Sequence, residues 1–299
     1  MEDSVRFVAR QMLNHILEAS RAEVQLSRDK NLFSERLACT PPLVSLLNCR
    51  IVPRDSPNIN TVISNWSDFE KKRKIFQDNR YELMNLYEFS CYARSDCEHI
   101  LNLFQDTFPQ IRDLKSKDKE KLIANLLPKW IILESCLDFV VNFEEWSKLD
   151  EKANNKMIID FYGSAIPMEK RMRDEDVLKT FGVYWNSFYY KTVSKIHKMN
   201  FDKFEYSALF LLLLFDPAYT NISEDCAKLC ETARKVILRE LKGYQVDQNF
   251  EENRFFDTLD SLLVIDKGER EFEEEMLVCE MNNVKLDGYF REVMFSSKI

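Results

Sequence analysis

Cysteine, histidine and acidic side chains are the groups of this chain that could bind a metal ion or perform catalysis. Zinc requires four ligands at short, regular spacings, yet the three histidines are widely separated and no HExxH or CxxC motif occurs. Cys226 and Cys230 are four residues apart, but no second pair accompanies them. We therefore expect two small core residues there and no metal site in the chain.

The sequence also has none of the common motifs for nucleotide binding or nucleophilic catalysis. It contains only 5 glycines and no GxGxxG, GxxxxGK[ST] or GxSxG pattern, so neither a phosphate-binding loop nor a nucleophile elbow is predicted. The acidic stretch from Glu269 to Glu275 is typical of the solvated face of a long helix. We predict no cofactor, no catalytic residue and no enzymatic activity.

Composition narrows the class of protein further. The chain has 42 basic and 50 acidic residues and a net charge of -8, which disfavours a nucleic acid as the default partner. Its eight cysteines are scattered and follow no secretory signal, which favours reduced thiols in the nucleus or cytosol. The longest apolar run, Ala208–Phe215, is too short to cross a membrane.

Apolar residues recur at three- and four-residue spacing through most of the chain, which predicts helices. The predicted helices cover residues 1–30, 81–108, 117–143, 174–198, 201–215, 223–242 and 249–282. We expect the very apolar second half of the 117–143 helix at the centre of the fold, bent at Pro128. Ser223 should begin a helix and Gly243 should end it, while Met157–Tyr162 predicts one short β-like segment.

Prolines between residues 37 and 65 indicate a connecting segment that interrupts the helical pattern. We accordingly predict an amino-terminal helix with a proline-containing connection over residues 1–65, followed by one helical domain over residues 66–299.

The region between the second and third predicted helices resembles the signature of nuclear hormone receptors. That signature is an aromatic residue, then Pro-x-apolar-x-x-Leu, a short polar loop, Asp-Gln and two apolar residues. The matching residues are Phe104, Pro109, Ile111, Leu114, Asp118, Leu122 and Ile123. The Pro-Lys-Trp-Ile-Ile-Leu-Glu-Ser run that follows is similar to the divergent nematode branch of the family.

The end of the chain resembles the activation helix of the same family, which reads two apolar residues, any residue, Glu and two apolar residues. Tyr289, Phe290, Glu292, Val293 and Met294 occupy these positions, and Asp287-Gly288 precedes them. Phe204-Glu205-Tyr206 and Arg254-Phe-Phe resemble the family's eighth and tenth helices. The similarity therefore extends over residues 80–295.

The resemblance implies an all-α fold, a three-layer helical sandwich of about twelve helices with one short β-turn or hairpin. It also implies a ligand-responsive transcriptional regulator in the nucleus, which binds a lipophilic small molecule in an apolar cavity. Ligand binding would favour docking of the terminal helix and complete a groove for a coregulator helix. Glu292 would cap the amino terminus of that partner helix.

The groove departs from the family pattern at several positions. The lysine that usually binds the other end of the partner helix is replaced by Asp106, while Ser116 and Glu120 occupy positions that are usually apolar. Lys119 is a candidate substitute for the lysine, unless it belongs to a solvated loop with its neighbouring lysines. Ile123 completes the predicted coregulator-binding set with Asp106, Lys119 and the terminal helix.

The resemblance places a second group of residues near the cavity. They are Cys91, Arg94, Cys97, Ile131, Ile132, Ser135 and Asp138. Asp138 stands where several branches carry a ligand-binding arginine, and a buried pair of Arg94 with Asp138 is one expectation. The alternative is that aromatic side chains, including Trp130 and Trp185, fill the cavity and no ligand binds.

The partners expected from the resemblance are a lipophilic ligand, a coregulator helix and a second receptor in a homo- or heterodimer formed along Arg254–Leu263. The residues before 80 supply only Cys39 and Cys49, too few for the family's DNA-reading zinc module, so we expect no direct DNA contact through this chain. A ligand-free helical module that sequesters partner receptors is the rival function, and an unrelated helical bundle is the third.

Overall fold

The computed structural model of this protein describes Leu47, residues 56–73 and residues 84–296. The helix predicted over residues 1–30 lies outside this part of the chain, as do Cys39 and Cys49. The helices are α1 (Pro57–Lys72), α2 (Leu86–Thr107), α3 (Pro109–Arg112), α4 (Ser116–Val141), α5 (Phe143–Trp146), α6 (Glu151–Ile158), α7 (Asp174–Phe188), α8 (Ser194–Met199), α9 (Lys203–Leu214), α10 (Glu224–Asp247), α11 (Arg254–Met281) and α12 (Gly288–Ser296).

The two central helices are α4 and α9. All residues from 126 to 134 of α4 and from Phe204 to Leu214 of α9 are buried. The α4 helix packs against α2, α9 and α11, whereas α9 packs against α1, α4, α10 and α11. The prediction of a buried helix at 117–143 is confirmed. This helix continues past Pro128, and the bend expected there stays a prediction.

The prediction of a β-like segment at Met157–Tyr162 is wrong. This segment lies in α6 and in a π-helical turn, Ile159–Gly163, and no strand occurs among the described residues. Asp150 begins the helix, because its side chain accepts a hydrogen bond from the Ala153 amide at 2.7 Å. Ile158 and Tyr162, four residues apart, both face the core, so tertiary packing overrides the local β preference.

The prediction that Gly243 ends a helix is also wrong, because α10 continues to Asp247. Tyr244 and Gln245 extend its buried face beyond the glycine. The chain turns instead at Asn249, which adopts φ 55°, and the Phe250 amide donates to the Gln245 carbonyl at 3.0 Å. Asparagine is the residue other than glycine that most readily adopts this left-handed conformation.

The start of α10 at Ser223 is as predicted. The Ser223 hydroxyl accepts a hydrogen bond from the Cys226 amide, while Asp118 of α4 accepts hydrogen bonds from the Ser223 amide and hydroxyl, both at 2.8 Å. Cys226 and Cys230 are fully buried in this helix, in agreement with their interpretation as core residues. Among the described helices, none is long and apolar enough to cross a bilayer.

The predicted domain boundary near residue 65 falls inside α1. Residues on both sides of it belong to the core, because Ile59, Val62, Trp66 and Phe69 are all buried, and α1 packs against α2 and α9. We therefore propose that the domain begins before Pro57. A helix whose apolar face is buried in this way is part of the domain rather than a connection to it.

Candidate functional site: the terminal helix and the interior beneath it

The terminal helix α12 packs against α2, α4 and α11. Its apolar residues face inward, since Phe290 is fully buried and Val293 and Met294 are 5% and 4% exposed. The Phe290 ring meets the rings of Phe89 and Phe272 edge to face, with centroids 6.4 and 6.5 Å apart. In this structure α12 is therefore docked by its own side chains.

Asp287 connects the start of α12 to α2. One oxygen of its carboxylate accepts hydrogen bonds from the Tyr289 and Phe290 amides at 3.0 and 3.1 Å, which caps the helix. The Asp287 amide donates to the Ser90 hydroxyl at 2.8 Å. Arg94 approaches the other carboxylate oxygen at 3.3 Å, so two residues of α2 hold the junction from which α12 begins.

A second contact between α12 and α2 brings the Tyr289 side chain close to that of Cys97, and each of the two groups affects the pKa of the other. Burial raises the pKa of the Cys97 thiol to about 12, with a further contribution from the neighbouring Asp96 carboxylate. Burial and the Cys97 side chain likewise raise the pKa of the Tyr289 hydroxyl to about 12. Both groups are therefore neutral at physiological pH, and the contact between them involves no charge.

The predicted coregulator residues outside α12 lie in α2 and α4, two of the helices that α12 packs against. Asp106 is exposed and forms an ion pair with Arg112 at 3.1 Å, and the Lys119 ammonium donates to the Arg112 carbonyl at 2.7 Å. Ile123 is buried in α4, and Glu292 is exposed on α12. The Lys119 ammonium is thus held by the carbonyl of the last residue of α3. The spacing of residues in the sequence did not indicate this contact.

The predicted cavity residues differ in their burial and in their contacts. The pairing of Arg94 with Asp138 is wrong, because Arg94 is exposed and contacts Asp287, whereas Asp138 accepts a hydrogen bond from Asn142 at 2.8 Å. Cys97, Ile131 and Ile132 are buried, while Cys91 and Ser135 are half-buried. Asp138 lies about one turn before the end of α4. Asn142, which directly follows this helix, is close enough there to bind its carboxylate.

One small void lies beside Ile131, a buried member of this set. This void, which is lined by Phe89, Asp96, Trp130, Ile131 and Glu134 among others, has a volume of about 10 Å³, close to the room that one water molecule needs. A lipophilic ligand of drug size requires roughly 300 Å³ or more. In this conformation the void is too small for such a ligand.

Many aromatic rings pack against one another in the interior of the domain. A continuous series of ring contacts runs from Phe290 in α12 through Phe89 and Phe161 to Trp185 and Tyr189. Trp130 lies in a second group with Trp66, Phe69 and Phe210. Trp130 and Trp185, which were named for the alternative in which rings fill the cavity, thus both lie in packed groups of rings.

Sequence reasoning missed an ionic cluster at the void. Arg73, which follows α1 and is fully buried, donates hydrogen bonds to Asp96 of α2 and Glu134 of α4. Burial raises the pKa of Glu134, and the Arg73 charge opposes this shift. Glu134 belongs to the matched Leu-Glu-Ser run, but its partner lies outside every recognised motif, and no short-range pattern indicated it.

Comparisons with known proteins agree with this architecture. Residues 76–282 match the family described as the ligand-binding domain of nuclear hormone receptor. Nuclear hormone receptor family member nhr-150 of Caenorhabditis elegans is 34% identical over 279 residues, which cover 93% of this chain and 80% of the relative. This family is not enzymatic and regulates transcription, and its ligand-binding domains generally bind lipophilic ligands and coregulators. The chain thus belongs to the nuclear hormone receptor family and contains its ligand-binding domain.

Proposed function

We propose that this domain regulates transcription in the nucleus as a closed module, in which α12 docks without a lipophilic ligand and completes a surface for a coregulator helix. The observation that carries this proposal is the burial of Phe290, Val293 and Met294. The void of about 10 Å³ lined by Phe89, the ring that Phe290 contacts, leaves no room for a ligand there. Docking that is stabilised by the protein's own rings needs no ligand to shift its population. We also propose the family's three-layer sandwich, with α4 and α9 in the middle layer.

The proposed coregulator surface consists of the exposed parts of α12, the end of α2 and the start of α4. Glu292 lies where a carboxylate stabilises the positive amino terminus of a partner helix. Asp106, Lys119 and Glu120 add charges of both signs, so the partner helix should carry charged residues around a small apolar centre. Ile123 and Met294, both buried, are the residues that we assign to the apolar floor of this surface.

Binding of synthetic amphipathic peptides tests this function. Peptides with leucines at positions i, i+3 and i+4 and varied flanking charge are titrated against the intact chain and against a truncation after Gly288. We expect at least one peptide to bind the intact chain and to bind the truncation at least about tenfold more weakly. Equal binding to both proteins, or none to either, would contradict the proposal.

The rival is the ligand-responsive form that is usual in the family. It predicts that a compound from a lipophilic panel stabilises the intact chain more than the truncation. The closed module predicts no such difference, because α12 is already docked. The matched control is Val183→Ser, which removes an exposed apolar side chain of α7 and should change neither response.

A further inference from the structure

The Arg73 side chain occupies an interior site that is built for a cation. Its Nε lies 2.9 Å from Asp96 Oδ2, its Nη2 lies 2.9 Å from Glu134 Oε2, and further hydrogen bonds join both partners to the same guanidinium. The rings of Phe69 and Trp130 each have their centroid 5.3 Å from the guanidinium carbon. Carboxylates and aromatic faces together are the groups that bind guanidinium and ammonium ions.

Such a cluster is costly to bury. Arg73 is 0% exposed, Asp96 is 4% exposed and Glu134 is 7% exposed, so three charged groups have left water. Hydrophobic side chains of similar size often stabilise a core as well as a buried ion pair does. What a hydrogen-bonded ionic cluster adds is a defined geometry between the elements that supply its members. Here these elements are α2, α4 and the end of α1.

The α2 segment from Phe89 to Cys97 has the cation site on one side and α12 on the other. Asp96 binds Arg73, and the next residue, Cys97, lies close to the Tyr289 side chain of α12. Phe89 lines the void beside Asp96 and Glu134, and its ring also contacts the Phe290 ring. A shift of this segment away from α4 would therefore move the residues that receive α12.

We propose that Arg73 is a positioning residue whose guanidinium acts as a ligand built into the chain, holding α2 against α4 so that α12 docks. This inference rests on the proposed closed module and names the internal group that takes the place of an external ligand. The site takes a guanidinium group because its two carboxylates lie on different helices and a planar fork reaches both. A lysine at the same position presents a single point charge and holds the two helices less well.

Replacement of Arg73 by alanine, followed by addition of methylguanidinium, tests the proposal. Amide hydrogen exchange is measured in α12 and, for comparison, in α9. In Arg73→Ala we expect the α12 amides to exchange about tenfold faster or more relative to those of α9. Millimolar methylguanidinium should restore their protection, whereas the same concentration of sodium ion should not.

Arg254 provides a matched control. Like Arg73 it binds a carboxylate, that of Glu205, although it is only partly buried, and its guanidinium carbon lies 5.2 Å from the centroids of the Phe201 and Phe250 rings. Its hydrogen bonds go to Glu205, Met199 and Asn200, none of which belongs to α2, α4 or α12. Arg254→Ala should lower overall stability without a selective effect on α12.

The outcomes separate this inference from the proposed function. If α12 is protected in the unaltered protein and in Arg73→Ala alike, Arg73 does not position it, although the closed module stands. If α12 is unprotected in the unaltered protein, the closed module itself fails. Should Arg73→Ala not fold, Arg73→Lys replaces it, and a loss of protection in α12 no greater than that in α9 would overturn the inference.

Discussion

Glu275 is a buried carboxyl group whose described contacts include no cation. It lies in α11, 8% exposed, and accepts a hydrogen bond from the Tyr162 hydroxyl at 2.6 Å. Burial raises its pKa to about 7, against the opposing effect of that hydrogen bond. A carboxyl with a raised pKa in the folded state favours folding most when it is protonated, below the pKa of the unfolded chain.

Glu275→Gln should therefore remove a pH-dependent loss of stability. In the unaltered protein the contribution of Glu275 is fully present below about pH 4.5 and is lost as the pH rises through 7, by on the order of 3 kcal/mol at most. We expect the difference in unfolding free energy between pH 6 and pH 8 to shrink in Glu275→Gln. Urea unfolding at both pH values measures it.

The control for this prediction is Glu274→Gln, which changes the exposed neighbour in the same helix. This substitution removes the same charge but no buried carboxyl. The unfolding free energy of the variant should therefore change with pH as that of the unaltered protein does. An equal effect of the two substitutions would show that net charge, rather than burial of Glu275, sets the dependence.

Individual residues differed in how far the sequence could predict their roles. The burial of Phe290, Val293 and Met294 follows from the matched terminal motif, because that motif specifies which face is apolar. The roles of Arg73 and Glu275 could not be predicted, because their partners are 23 to 113 residues away and neither lies in a periodic apolar position. Buried charges depend on tertiary contacts that no local pattern records.

At the scale of elements, the docking of α12 should depend on one side chain more than on the others. Phe290→Ala removes the ring that contacts Phe89 and Phe272, and a change of this kind in a packed core costs about 3 to 5 kcal/mol. We expect α12 amides to exchange about a hundredfold faster or more in this variant, as measured by hydrogen exchange.

Arg291→Ala is the matched control in the same helix. Arg291 is 61% exposed in its side chain and pairs with Glu280 of α11, and exposed ion pairs contribute at most about 1 kcal/mol. Its removal should leave α12 protected. If Arg291→Ala releases α12 as much as Phe290→Ala does, surface charge rather than the buried ring holds the helix.

Most helices were predictable because their apolar periodicity is strong, and the failures have specific physical causes. At Met157–Tyr162 the β-branched residues favoured a strand, but Ile158 and Tyr162 are spaced for one helical face. At Gly243 a glycine suggested an end, but the buried face of α10 continued and Asn249 supplied the turn. In both places tertiary burial decided the outcome.

For the whole molecule, we propose that α11 supplies a dimer interface. Phe256 and Leu263 are seven residues apart on one face of this helix and are 63% and 66% exposed. Large apolar side chains exposed together on a helix commonly mark a protein interface. Leu263→Glu should therefore convert a dimer into a monomer in sedimentation experiments.

Val183→Glu is the control, because Val183 is 67% exposed and lies on α7 rather than on the helix proposed as the interface. It should leave the oligomeric state unchanged. A chain that is monomeric at all concentrations, or one that dissociates equally with either substitution, would exclude α11 as the interface of a homodimer.

The central claim is that α12 is docked in the absence of a ligand, and hydrogen exchange of the α12 amides in ligand-free protein tests it most directly. Native mass spectrometry of the same sample establishes that no small molecule is bound. We predict that residues 290–295 are protected nearly as well as the end of α11. Rapid exchange of these amides, with protection gained only when a lipophilic compound binds, would contradict the claim.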